Sequence, residues 1–204
     1  MNQKLKNFTV KTNAFFMGTL FATASFAQTV PEVKLNYVSV IESLQRETNF
    51  PLRLPSFLPG YDLLNEQEVQ NQQFYPHLES VDANSYTMNL GLVENCNGAT
   101  ACNSVTLKAQ KINPTTVSLN SLAQEIEENL TTPRFGQFET RSIGLGTNKE
   151  VKAILVPSIC FASCTQTKVI FDKQGVRYTV GEKAGNPETV IKMANSMIIN
   201  PIKF

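Results

Sequence analysis

Two runs of strict alternation constrain this chain more than any other feature. Tyr86, Met88, Leu90 and Leu92 alternate with Thr87, Asn89 and Gly91, and Val105, Leu107 and Ala109 alternate with Thr106, Lys108 and Gln110. Side chains along a strand point to opposite faces by turns, so each run predicts a strand with one buried and one wetted face. The loop between them, Asn95 to Cys102, is too short for a crossover helix and predicts an antiparallel hairpin. Any fold of this chain must therefore cover the apolar side of an antiparallel sheet.

The other elements supply more strands and the covers. A weaker strand is expected around Val69 to Leu78, weakened by Pro76, and others near Phe138 to Ile143 and Val151 to Val156. Ala153 to Val156 is apolar on both faces, which places it centrally in the sheet. Lys168 to Asp172 and Val176 to Val180 flank Gln174-Gly175, a tight hairpin turn. Three stretches have helical spacing. Tyr37 to Glu47 carries Val38, Ile41 and Leu44. Ser118 to Leu130 carries Leu119, Leu122, Ile126 and Leu130, with Glu125, Glu127 and Glu128 as a solvated face. The last helix opens on Asn186 as N-cap, Pro187 at its first position and Glu188 at its positive end. Its stripe is Val190, Met193, Ala194, Met197 and Ile198, with the methionines read as core filler rather than a ligand groove. Pro51 to Tyr61 holds three prolines and predicts an extended segment along an edge of the core. The fold class expected is α+β: a single antiparallel β-sheet of about six to seven strands with helices packed on its faces.

The chain start gives the compartment. Lys4, Lys6 and Lys11 precede an apolar stretch from Ala14 to Phe26, which ends in small residues at Ala22-Thr23-Ala24 and Ser25-Phe26-Ala27. That predicts a cleaved secretory signal peptide over 1–27 and one domain over 28–204, secreted or periplasmic. No later segment is long and apolar enough to span a membrane. Loss of the three leader lysines takes the formal charge from +1 to −2. Scattered charge near neutrality lacks the clustered Lys and Arg that nucleic acid requires. All four cysteines, Cys96, Cys102, Cys160 and Cys164, lie after the leader, and an even count in an exported chain predicts disulfides. Each pair sits within one short loop, so Cys96–Cys102 and Cys160–Cys164 are the expected bonds, with cross-pairing of the two loops the alternative. Spacings of five and three intervening residues fit neither a four-cysteine zinc site nor a Cys-x-x-Cys redox pair.

Leu54-Pro-Ser-Phe-Leu-Pro-Gly-Tyr61, Cys96-Asn-Gly-Ala-Thr-Ala-Cys102 and Tyr178-Thr-Val-Gly-Glu-Lys-Ala-Gly185, running into Ile191-Lys-Met-Ala-Asn-Ser196, are familiar as a set. Together they resemble an uncharacterised family of exported, disulfide-containing bacterial proteins, mainly cyanobacterial. The resemblance implies compartment and architecture and carries no activity. The order of elements also resembles the PsbP-like fold, whose members are mostly non-catalytic accessory or scaffold proteins.

No catalytic set, cofactor site or metal site is legible. His77 is the one histidine, beside Pro76, and no Gly-x-Ser-x-Gly elbow accompanies it. Gly144-Leu-Gly146 lacks the third glycine of a dinucleotide loop. Asp82 to Asn89 lacks the spacing of a calcium loop. Asn129-Leu-Thr131 matches a glycosylation sequon, relevant only in a eukaryotic host. The expectation is an exported non-catalytic binding or accessory protein of the bacterial cell envelope, whose partner is an unknown envelope protein or small ligand. The alternatives are an envelope polymer hydrolase using carboxylates such as Glu66 and Glu68, and a structural component of a larger assembly.

Overall fold

Turn chemistry joins the strands of this protein. Its computed structural model describes residues 37–58, 74–94, 102–131, 138–160 and 163–201. Strand β1 (Tyr75–Val81) meets β2 (Ser85–Gly91) through a turn held by Asp82, whose Oδ1 accepts from the backbone N–H groups of Asn84 and Ser85 at 2.7 and 2.8 Å. The Asn84 bond most strongly, and next the Ser85 hydroxyl that donates to Oδ2, hold the Asp82 carboxyl below the usual carboxylate range. Strand β3 (Asn103–Lys111) pairs with β2. Four further strands, β4 (Arg141–Leu145), β5 (Val151–Val156), β6 (Gln166–Lys173) and β7 (Val176–Lys183), complete the sheet. The β6–β7 turn uses Gln174 and Gly175, both at positive φ (52° and 75°), as the sequence predicts for a tight hairpin.

Strand order is β1-β2-β3-β7-β6-β5-β4 with every pair antiparallel, so two meanders join where β7 lies against β3. Three helices are described: α1 (Val38–Glu47), α2 (Leu119–Leu130) and α3 (Pro187–Ile199). The fold is thus α+β, with one seven-stranded antiparallel sheet among the described residues.

One row of the sheet shows where the core sits. Met88, Leu107, Val180, Val169 and Leu155 are successive cross-strand partners from β2 to β5, and all are fully buried. Helices α1 and α3 cover this inner face with Leu44, Val40, Val190, Met193, Ala194 and Met197. The methionines are core, as expected. Asn186 caps α3 by accepting from the Glu188 N–H at 2.9 Å, with Pro187 in the first turn.

Several boundaries differ from the sequence expectation. Strand β1 runs to Val81, while residues 69–73 of the expected strand lie outside the described residues. Pro76 is tolerated because β1 is an edge strand. Strand β4 begins at Arg141, because Phe138 packs under α2 and Thr140 is bonded to Glu127 on that helix. Strand β5 is one strand in from the edge rather than central. Its two apolar faces arise because different helices cover them: Ala153 and Leu155 join the inner core, and Ile154 and Val156 lie towards α2. The proline-rich segment does not skirt the core. Leu54 and Leu58 are buried within it, Tyr178 Oη donates to the Pro51 carbonyl, and Arg53 donates to the Met197 carbonyl at 3.0 Å. Residues 59–61 lie outside the described residues.

Candidate functional site

Among the described residues, one helix covers the outer face of the sheet, over β5 and β6. Helix α2 starts at Ser118, whose hydroxyl accepts from the Ser121 N–H at 3.1 Å. Leu119, Leu122, Ala123 and Ile126 then cover Ile154, Val156 and Ile170. Arg177 fixes the start of this cover. It binds Asp172 through two bonds (2.8 and 3.0 Å) and also donates to the Val117 carbonyl at 2.8 Å.

Beyond α2, the outer face becomes polar along a single row: Val156, Lys168, Gly181, Thr106 and Asn89 are successive cross-strand partners. A hydrogen-bonded chain runs along this region. Gln166 Nε2 donates to Thr106 Oγ1 at 2.8 Å, Thr106 Oγ1 donates to Asn89 Oδ1 at 2.9 Å, and Asn89 Nδ2 donates to Glu79 Oε2 at 3.1 Å. Gly181 makes this possible. A Cβ there would stand 2.9 Å from Gln166 Oε1 and 3.1 Å from Lys168 Cγ, so only a glycine lets the Gln166 amide cross β7. Thr106 and Asn89 are consequently buried although no helix covers them among the described residues.

Above this floor lies a cleft of about 430 Å³, bordered by Glu79, Lys108, Lys168, Lys183 and the Cys164–Thr165 step. That volume is in the range of small-ligand sites. Burial, and then the neighbouring Lys108, push the Lys168 ammonium below the ordinary lysine value. Lys108 is exposed and Lys168 half-buried, and neither makes an ion pair among the described residues.

The residues singled out from sequence fall in different places. Cys160 and Cys164 are bonded to each other, which removes cross-pairing of the two loops. Cys102 is disulfide-bonded, and Cys96 lies outside the described residues. The Cys160–Cys164 loop is also clasped by two 2.8 Å bonds between Ile159 and Thr165, the residue directly before Gln166. His77 is exposed on β1 opposite Asn89. Glu66, Glu68 and Asp62 lie outside the described residues. Asp82 is spent on its turn and Asp172 on Arg177. Gly144 and Leu145 end β4, and Gly146 begins the turn to β5. Asn129 is exposed on α2. Glu127 corrects the reading of a purely solvated acidic face, since its Oε1 accepts from the Thr140 N–H and hydroxyl at 2.8 and 2.7 Å, which lowers its pKa. Among the described residues no three His, Cys, Asp or Glu side chains are grouped to hold a metal, and no helix is long and apolar enough to cross a membrane.

The cleft residues were not singled out from sequence, where Thr106, Lys108 and Asn89 read as the wet side of strands. Gly181, one residue past the end of the strand expected from sequence, falls inside β7, where a glycine marks a close approach. No family model matches the chain, and neither the curated proteins nor the solved structures give a match.

Proposed function

We propose that this chain is an exported, non-catalytic binding protein of the bacterial envelope, and that the polar part of the outer sheet face, over which no helix lies among the described residues, is its binding surface. One observation carries the reading. The sheet holds a row of polar side chains in fixed order by their own hydrogen bonds along the floor of a cleft, as a preformed polar surface for an incoming molecule requires. The Cys160–Cys164 bond suits an oxidising compartment. The sequence over 1–27 adds a secretory leader, with the mature protein secreted or periplasmic. The resemblance to exported bacterial proteins points the same way.

The test is native mass spectrometry of protein recovered from the periplasm, compared with denatured samples with and without reduction. The expected result is a chain beginning at Gln28, two disulfides, and a non-covalent small mass that a Thr106→Val variant loses. A wild-type protein carrying no additional mass, or a mass retained in full by the variant, would count against the reading.

A further inference from the structure

The cleft has an electrostatic asymmetry that identifies the class of ligand. Lys108 on β3 and Lys168 on β6 flank β7 on the same face; Lys108 pairs with Thr179, and Lys168 pairs with Gly181, which presents no side chain beside it. Strands two places apart are about 10 Å apart, a gap that two lysine side chains can close from either side. Burial first, and then the Lys108 charge, lower the Lys168 pKa, and no carboxylate pairs with either lysine among the described residues. Among the described residues, the one carboxylate bordering the cleft, Glu79, stands at the other side on β1 and is engaged by Asn89. The Thr106 hydroxyl proton is committed to Asn89, so the strongest uncommitted donors facing the cleft are the two ammonium groups.

We propose that the cleft binds a ligand through an oxyanion, a carboxylate or phosphate group, lodged between Lys108 and Lys168 above Gly181. This inference rests on the binding-surface reading above and adds the chemistry of the ligand. A bound anion offsets the repulsion between the two ammonium groups, which explains why a half-buried lysine stands beside a second one. A cation would meet both ammonium groups, and an anion placed towards β1 would meet Glu79. The anionic group is therefore confined to the β3–β6 side, and any polar body attached to it extends over Asn89 and Gln166.

The mature protein is titrated with inorganic phosphate, glycerol phosphate and glycerol at constant ionic strength, and followed by amide NMR spectra. Both phosphates should shift the Thr106, Lys168 and Gly181 amides saturably, and glycerol should not. Lys108→Met and Lys168→Met should each weaken phosphate binding by about tenfold or more, the loss expected for a charge-assisted contact. Tighter binding of glycerol phosphate than of inorganic phosphate supports an oxyanion carried on a polar body, and equal binding supports a free anion. Unsaturable shifts with both phosphates, or binding unchanged in the exposed Lys108→Met variant, overturn the proposal. Saturation by glycerol at the same amides also overturns it, while leaving the binding-surface reading intact. That reading fails separately, through the co-purified mass.

Discussion

The side-chain amide of Gln166 passes over Gly181 to donate to Thr106 Oγ1 at 2.8 Å, linking β6 to β3 across the strand between them. A Gly181→Ala methyl would strike the far end of the Gln166 side chain, which can rotate away. The stability loss should therefore stay under about 1 kcal/mol, while the Gln166–Thr106 bond is lost. Denaturant melts and the Gln166 side-chain NH2 resonances in NMR spectra read the two effects separately.

Lys168→Met should raise stability. The folded state holds Lys168 less willingly protonated than the unfolded chain does, through burial and then the Lys108 charge. The unfolded state thus binds more protons between the depressed folded value and the ordinary lysine value of about 10.4. Wild-type stability should gain from this group as pH rises through that window, and the variant should lack the gain. Thermal melts of both proteins across mildly alkaline pH make the comparison.

Tyr37 and Tyr86 are buried with hydroxyls that find no partner among the described residues, and burial raises both phenol pKa values. Because the folded values exceed the unfolded one, their contribution is intact below about pH 10 and lost above it. Tyr86→Phe removes an unsatisfied hydroxyl at nearly constant shape. It should leave stability unchanged or raise it by up to about 1 kcal/mol, and should move alkaline unfolding upward.

The proline-rich segment should behave as core. Leu54→Ala is expected to cost about 2–5 kcal/mol, as for other fully buried leucines. Tyr178→Phe breaks the bond to the Pro51 carbonyl and should cost about 1 kcal/mol. Burial, opposed by Arg53, pushes the Tyr178 phenol up to about 12, so this bond survives ordinary alkaline buffers. Urea midpoints with unchanged slopes check both variants.

Replacing Cys160 and Cys164 by serine opens a loop with a sequence separation of only 4. Closure of so short a loop limits the stability loss to about 2 kcal/mol. The two Ile159–Thr165 bonds should keep Gln166 in place, so cleft amides should shift little.

Sequence pattern carries the order of elements in this protein because period-two and helical stripes reflect which faces are buried. The α3 start at Asn186-Pro187 and the Gln174-Gly175 turn are local chemistry and were legible as such. Strand ends were less so, since Thr140 is taken by Glu127, a contact made only once α2 is docked. The cleft is less legible still. Lys108 and Lys168 are far apart along the chain, and each alone is an ordinary polar strand residue. Only the return of β7 to β3 brings them to one face.

The row from Gln166 to Glu79 also has a direction. An ionised carboxylate can only accept, so Glu79 turns the Asn89 amide nitrogen towards itself and the carbonyl towards Thr106, which then accepts from Gln166. One edge residue thereby orders the dipoles of side chains on three other strands. A glutamine at position 79 can donate as well as accept, and would let the row point either way. The fold would survive that change, but the surface would present two polarities to an incoming molecule, and discrimination would suffer before affinity did.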